Sequence, residues 1–221
     1  MIAKDLISDV IPSLRTSDTG QIALNWMEIF RISHLPIVNS QDFLGLISDA
    51  DIYDINQPDE PIGNHKLTLF KPYVDLDTHI FDVIGMASRM NLSVVPVLDD
   101  KKHYKGIILV SDIVGYLARI SGLDVPGGIV VLQVLERDYS LSQISQIVES
   151  NNARVLSSYI TSRSESTGLE ITLKVNATNL SSIVRTFERY GYDVKTWLTE
   201  DDSLDRFYSD RFDMFMKYLD I

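Results

Sequence analysis

Ser48 and Asp51 are the side chains whose types and spacing best suit chemistry. They close the run Gly45-Leu-Ile-Ser48-Asp-Ala-Asp51. If a helix starts at Asp49, Ser48 is its N-cap. The free backbone N–H groups and positive helix end there favour a phosphate, to which the Ser48 hydroxyl can donate one more hydrogen bond. Asp51 would repel phosphate, but a carboxylate is a good acceptor for the vicinal hydroxyls of a ribose. An adenine would need apolar walls, which Ile37, Val38 and the segment before Asp18 can supply. The same pair also fits the Ser-x-x-acid capping pattern, with a short Asp where Glu or Gln is usual. Such a cap stabilises a helix by roughly 1 kcal/mol and needs no ligand. The residues support both roles.

The run recurs. Residues 35–51 read Leu-Pro-Ile-Val and then the Gly45–Asp51 run; residues 95–112 read Val-Pro-Val-Leu and then Gly106-Ile-Ile-Leu109-Val-Ser-Asp112. Pro36 and Pro96 are 60 positions apart, and Gly45 and Gly106, like Asp51 and Asp112, are 61 apart. A period of this size marks a structural repeat. The copies are not equivalent, because Leu109 stands where Ser48 supplies a hydroxyl. Ser111 and Asp112 leave a ribose contact open in the second copy and weaken the case for a phosphate. Lys105 and Arg119 read as solvated surface rather than as phosphate ligands. The first copy is therefore the better candidate site.

These residues must be held by a repeated set of elements. Asp18-Thr19 is a helix start, followed by Ile22, Ala23, Trp26, Met27, Ile29 and Phe30 at helical spacing. Residues 35–38 and 43–47 read as buried strands and 51–55 as helix. The second copy repeats the order, with Asp77-Thr78 starting a helix, strands over 94–98 and 106–110, and a helix over 112–120. Pro126-Gly127-Gly128 marks a boundary. Beyond it, strands are expected over 129–135, 154–161, 169–175 and 192–197, with helices over 141–149 and 180–190; Gly191 falls at a helix C-cap. That βαββαβ order is the ferredoxin-like sandwich. Residues 201–221 read as an amphipathic helix, with Leu204, Tyr208, Phe212, Phe215 and Leu219 on one stripe. Trp26 and Trp197 are expected in the core. The fold class is α+β, divided at 1–62, 63–122, 127–200 and 201–221.

Composition narrows the function. Lys plus Arg is 20 and Asp plus Glu is 31, a net charge of −11, which argues against nucleic acid as a partner. The chain has no Cys, so disulfides, thiolate zinc sites and Cys nucleophiles are excluded. The N-terminus has no signal-peptide pattern and no apolar run reaches the ~18 residues of a membrane span, so a cytoplasmic protein is expected. Asp49, Asp51 and Asp54 lack the Gly turn and terminal Glu of a calcium loop and are better read as helix-dipole acids. His34, His65, His79 and His103 have no ligand spacing. There is no Gly-x-Ser-x-Gly elbow, phosphate loop or Gly-x-Gly-x-x-Gly run, so no enzyme is expected.

The two copies resemble a tandem pair of CBS domains, a Bateman module of βαββα repeats, through Ser33-His34-Leu35-Pro36-Ile37-Val38 with Gly45–Asp51, and Ser93-Val94-Val95-Pro96-Val97 with Gly106–Asp112. Residues 127–200 resemble an ACT-type domain in element order. The whole is similar to CBS–CBS–ACT proteins of the acetoin-utilisation regulatory type. The resemblance implies a non-catalytic regulator that senses AMP, ADP, ATP, S-adenosylmethionine or NAD and requires no cofactor. It implies that Thr16 and the strand around His34 and Pro36 face the base, beside Ser48 and Asp51. The weaker second site would comprise Val95, Pro96, Ser111 and Asp112. It further implies a homodimer and an unidentified regulated partner. Two alternatives remain. One is a structural or oligomerising module. The other is an amino-acid sensor working through the ACT-like region, against which stands the Gly-free turn Glu136-Arg137-Asp138-Tyr139-Ser140.

Overall fold

The computed structural model describes residues 1–65, 69–162 and 168–199. The expected tail helix over 201–221 and the polar turn through Ser164 lie outside them. The chain forms two compact units, Met1–Tyr116 and Leu117–Ile221.

In the first unit, helix α1 (Gly20–Phe30) leads to strands β1 (His34–Asn39) and β2 (Asp42–Ser48) and helix α2 (Asp49–Ile55). Strand β3 (Val74–Asp75) then precedes α3 (Ile80–Arg89), β4 (Val94–Leu98), β5 (Tyr104–Leu109) and α4 (Val110–Ile120). The second copy is thus a βαββα repeat, with β3 parallel to β4 and β4 antiparallel to β5. In the first copy the leading strand shrinks to a single parallel bridge, Leu14 to Ile37. The bulges match as well, falling between Ile37 and Val38 in one hairpin and Val97 and Leu98 in the other. Both strand pairs are buried on both faces: Leu35, Ile37, Ile47, Val94, Val95, Val97, Ile107 and Ile108 are all 0% exposed. Short runs of apolar, β-branched residues bounded by turns form such strands.

Capping residues set the helix starts. Thr19 accepts from the Ile22 N–H and begins α1 as expected. The start of α3 differs. His79, not Asp77-Thr78, caps it, taking the Phe81 N–H on its ring nitrogen. Thr78 Oγ1 is occupied in the preceding turn, where it accepts from the Asp75 N–H.

The two copies pack against each other within the unit. The Ser33 N–H donates to Ser93 Oγ at 3.1 Å. Asp42 bridges His103, and the rings of Phe43 and Tyr104 stack with centroids 6.3 Å apart.

The second unit runs β6 (Gly128–Leu135), α5 (Leu141–Ser150), β7 (Val155–Ser162), β8 (Gly168–Val175), α6 (Ser181–Arg189) and β9 (Asp193–Thr199). Its antiparallel sheet has the order β7-β8-β6-β9. The alternate residues Val130, Leu132 and Val134 of β6, with Ile171, Leu173 and Val175 of β8, meet Ile144, Val148 and Phe187 of the helices in one core. Gly191 takes φ +82 and ends α6, with Tyr192 N–H donating back to the Phe187 carbonyl. The tryptophans depart from expectation. Trp26 is only half-buried, and Trp197 is 47% exposed because β9 is the sheet's edge strand.

Candidate functional site

Gly45 and Gly106 owe their place to chain crossing. Gly45 has φ +150, and a Cβ there would lie 2.7 Å from Leu69 Cβ and 2.9 Å from the Phe70 carbonyl oxygen. Gly106 has φ +145, and a Cβ would lie 2.5 Å from Ile7 Cγ2. The crossing segments are hydrogen-bonded in place, Leu46 N–H to Phe70 O and Ser8 N–H to Ile107 O, both at 2.8 Å. Each copy is therefore crossed by the chain that leads into the other one, and only glycine leaves room for it.

Beyond Gly45 the strand delivers Ser48 to the α2 N-cap. Ser48 Oγ accepts from the Asp51 N–H at 3.1 Å, and Asp51 Oδ2 accepts from the Ser48 N–H at 2.8 Å and from Ser48 Oγ at 2.7 Å. The box is complete, although Asp is shorter than the usual Glu. The hydroxyl proton and one carboxylate oxygen are thus spent on each other. Asp51 is exposed, and its second oxygen makes no hydrogen bond among the described residues. That oxygen can still accept from a ribose. A phosphate gains little here, since α2 spans seven residues and carries Asp49 and Asp51 in its first turn.

His34 stands opposite Ser48 in the β1–β2 register. Its Nδ1 lies 3.0 Å from Ser33 Oγ and 3.1 Å from Ser93 Oγ, so this edge of the ring faces the seam between the copies. Burial lowers its pKa from the usual histidine value, opposed by the carboxylates of Asp49 and Asp51. Pro36 is buried opposite Leu46, and its carbonyl accepts from the Leu14 N–H. Thr16 stands apart. It contacts Asn39 at the far end of β1 through Oγ1, and its carbonyl accepts from the Gly63 N–H. Asn39 lies five residue steps of about 3.3 Å each from His34, so Thr16 and Ser48 sit at opposite ends of the strand. The parallel Leu14–Ile37 bridge causes this, because it runs the incoming chain toward Asn39.

In the second copy Val95 and Pro96 are buried within the β4–β5 ladder, opposite Ile108 and Ile107. Leu109 precedes α4 and has no group with which to cap it. Ser111 and Asp112 are both exposed, and neither has a side-chain hydrogen bond among the described residues. The second copy therefore presents the freer carboxylate.

The second unit contains a cavity of about 350 Å³ beneath the Gly-free turn, lined by Gln133, Leu135, Asp138, Gln143, Tyr190 and Tyr192 among others. Tyr192 Oη donates to Gln143 Oε1 at 2.7 Å across it. Sequence reasoning missed this hollow. Its walls come from both ends of the unit's sequence, and only the β6–β9 pairing unites them. Among the described residues no group of His, Asp and Glu is arranged to hold a metal ion, and no helix is long and apolar enough to cross a membrane.

Residues 69–119, most of the second copy, match the CBS domain family. Among solved structures, the chain is similar to a CBS domain pair/ACT domain protein of Thermotoga maritima, at 20% identity and a TM-score of 0.48, over 54% of this chain and 98% of that one. It is also similar to a Vibrio cholerae protein assigned to acetoin utilization, AcuB, at 21% identity and a TM-score of 0.48, over 56% and 95% of the two chains. A third is CBSX2, solved in complex with AMP, at 18% identity and a TM-score of 0.46, over 54% and 97%.

Proposed function

We propose that this protein is a non-catalytic regulator that binds an adenosine-containing nucleotide, AMP or ATP in type, at its paired repeats. The carrying observation is the repeated device itself. A glycine-crossed strand runs into a helix whose first turn holds an outward carboxylate, Asp51 in one copy and Asp112 in the other. Such a carboxylate accepts from both ribose hydroxyls, and the match of residues 69–119 to the CBS domain family supports a nucleotide as the ligand. Output requires that the nucleotide bind two states of the protein with different affinity.

The test is calorimetry of the full chain with AMP, ATP, S-adenosylmethionine and NAD. Binding of AMP or ATP at micromolar to millimolar Kd is expected, with Asp112→Ala and Asp51→Ala each weakening it at least tenfold at its own site. Folded protein that binds none of the four at millimolar concentration overturns the proposal.

A second reading draws on the other unit. Its βαββαβ order and β7-β8-β6-β9 sheet support an ACT-like reading, and its cavity would suit an amino-acid-sized ligand. Thermal-shift assays across the amino acids test it, and stabilisation by one of them without any response to nucleotide would favour it. We also propose that the protein works as a cytoplasmic homodimer; a monomer by analytical ultracentrifugation at tens of micromolar overturns the dimer.

A further inference from the structure

His34 ties the two repeats together through one nitrogen. The Ser93 backbone N–H donates to His34 Nδ1 at 3.4 Å, and Ser33 Oγ and Ser93 Oγ lie at 3.0 and 3.1 Å from it. Ser93 Oγ itself accepts from the Ser33 N–H at 3.1 Å, which leaves its own proton free to donate to the ring. Ser33 and Ser93 are equivalent positions in the two copies, 60 residues apart, so the ring closes the seam where the repeats face each other. A hydroxyl can rotate, but a backbone N–H always donates. Nδ1 must therefore carry a lone pair, and the ring is neutral with its proton on Nε2.

We infer that the seam between the repeats is a pH-responsive junction, held closed by neutral His34 and loosened when its Nδ1 is protonated. A proton on Nδ1 removes the lone pair that accepts from the Ser93 N–H, so that bond across the seam is lost and the Ser33 and Ser93 hydroxyls must reverse to accept from the ring. The seam then holds a part-buried charge beside a Ser93 N–H without its acceptor, and both loosen it. The charged groups that act on the ring are Asp49 and Asp51, both in the first turn of α2; they favour the charged form, and burial outweighs them. The device is one-sided, because Val94 occupies the position equivalent to His34 and cannot titrate. Its consequence reaches the candidate site, since His34 pairs with Ser48, the cap of α2. The junction itself does not depend on any ligand.

The test uses the full chain without nucleotide. Nitrogen-detected NMR of the imidazoles should show His34 as the Nε2–H tautomer, with a titration midpoint below 6.5. The Ser93 amide resonance should titrate with the same midpoint. Chemical denaturation should show stability falling as pH drops below 6.5 in the wild type and falling less in His34→Gln. A Nδ1–H tautomer, a midpoint at or above 6.5, or a Ser93 amide that ignores the His34 titration would each overturn the inference. The NMR measurements use the wild type alone, so they stand even if the variant does not fold.

Discussion

Ser48 and Asp51 illustrate how one pair of residues can be structural and still be available for binding. Their three mutual hydrogen bonds consume the Ser48 hydroxyl and one Asp51 oxygen. Ser48→Ala should therefore cost about 1 kcal/mol of stability through the lost cap, measured by urea unfolding, whether or not a nucleotide binds. Asp99 offers a sharper pH test at the same scale. Burial acts to raise its pKa, but the His103 backbone N–H and Lys105 outweigh it and hold the carboxyl at about 2. Its Oδ1 accepts from the Lys101 and His103 N–H groups at 3.0 and 2.8 Å, and Lys105 Nζ lies 3.0 Å from Oδ2. A depressed carboxylate contributes stability above its unfolded pKa, and that contribution is lost as pH falls through the folded value. Stability should thus decline between about pH 4 and pH 2, and Asp99→Asn should flatten that part of the profile in acid denaturation. Thr16, named by the resemblance, sets its hydroxyl against Asn39 at the other end of β1.

Among elements, strand and helix bounds were legible to within a residue or two wherever a cap or an apolar run marked them, as at Thr19 and over Val94–Leu98. The misses have physical causes. The start of α3 moved because an imidazole can cap as well as a hydroxyl, and Thr78 was already engaged in a turn. Strand β3 escaped notice because two residues carry no periodicity; it exists through its pairing to Val97 and Leu98. The sequence shows the glycines that begin each site motif, but not what crosses them. Gly45→Ala and Gly106→Ala should each destabilise the protein by more than about 1 kcal/mol, since each combines a positive φ with a collision against the crossing chain. Thermal unfolding checks this, and a neutral effect at either position would mean that the crossing segment moves aside at little cost.

For the whole molecule, the repeat and the boundary near Pro126 anticipated two architectures, and the structure divides the chain at Tyr116 and Leu117 within α4. Periodicity does not mark that point, because α4 runs unbroken from Val110 to Ile120. The second unit has its own core around Phe187, which is 0% exposed and meets Tyr192 edge-on at 5.5 Å. Phe187→Ala should cost about 3–5 kcal/mol there. Amide hydrogen exchange should show protection lost across residues 128–199.

By itself, the sequence determined the repeat, its alternating elements, the inequality of Ser48 and Leu109, and the absence of thiol chemistry. These depend on residue identity and short spacing, which local propensity and periodicity read directly. Tertiary structure decided which atoms remain free. Asp51 is half-spent on its own cap, Asp112 is open, and the Nδ1 edge of His34 faces Ser93 across the seam. The Ser48–Asp51 cap is local, but His34 and Ser93 are 59 residues apart, and only the folded pairing of the two copies brings them within hydrogen-bond distance.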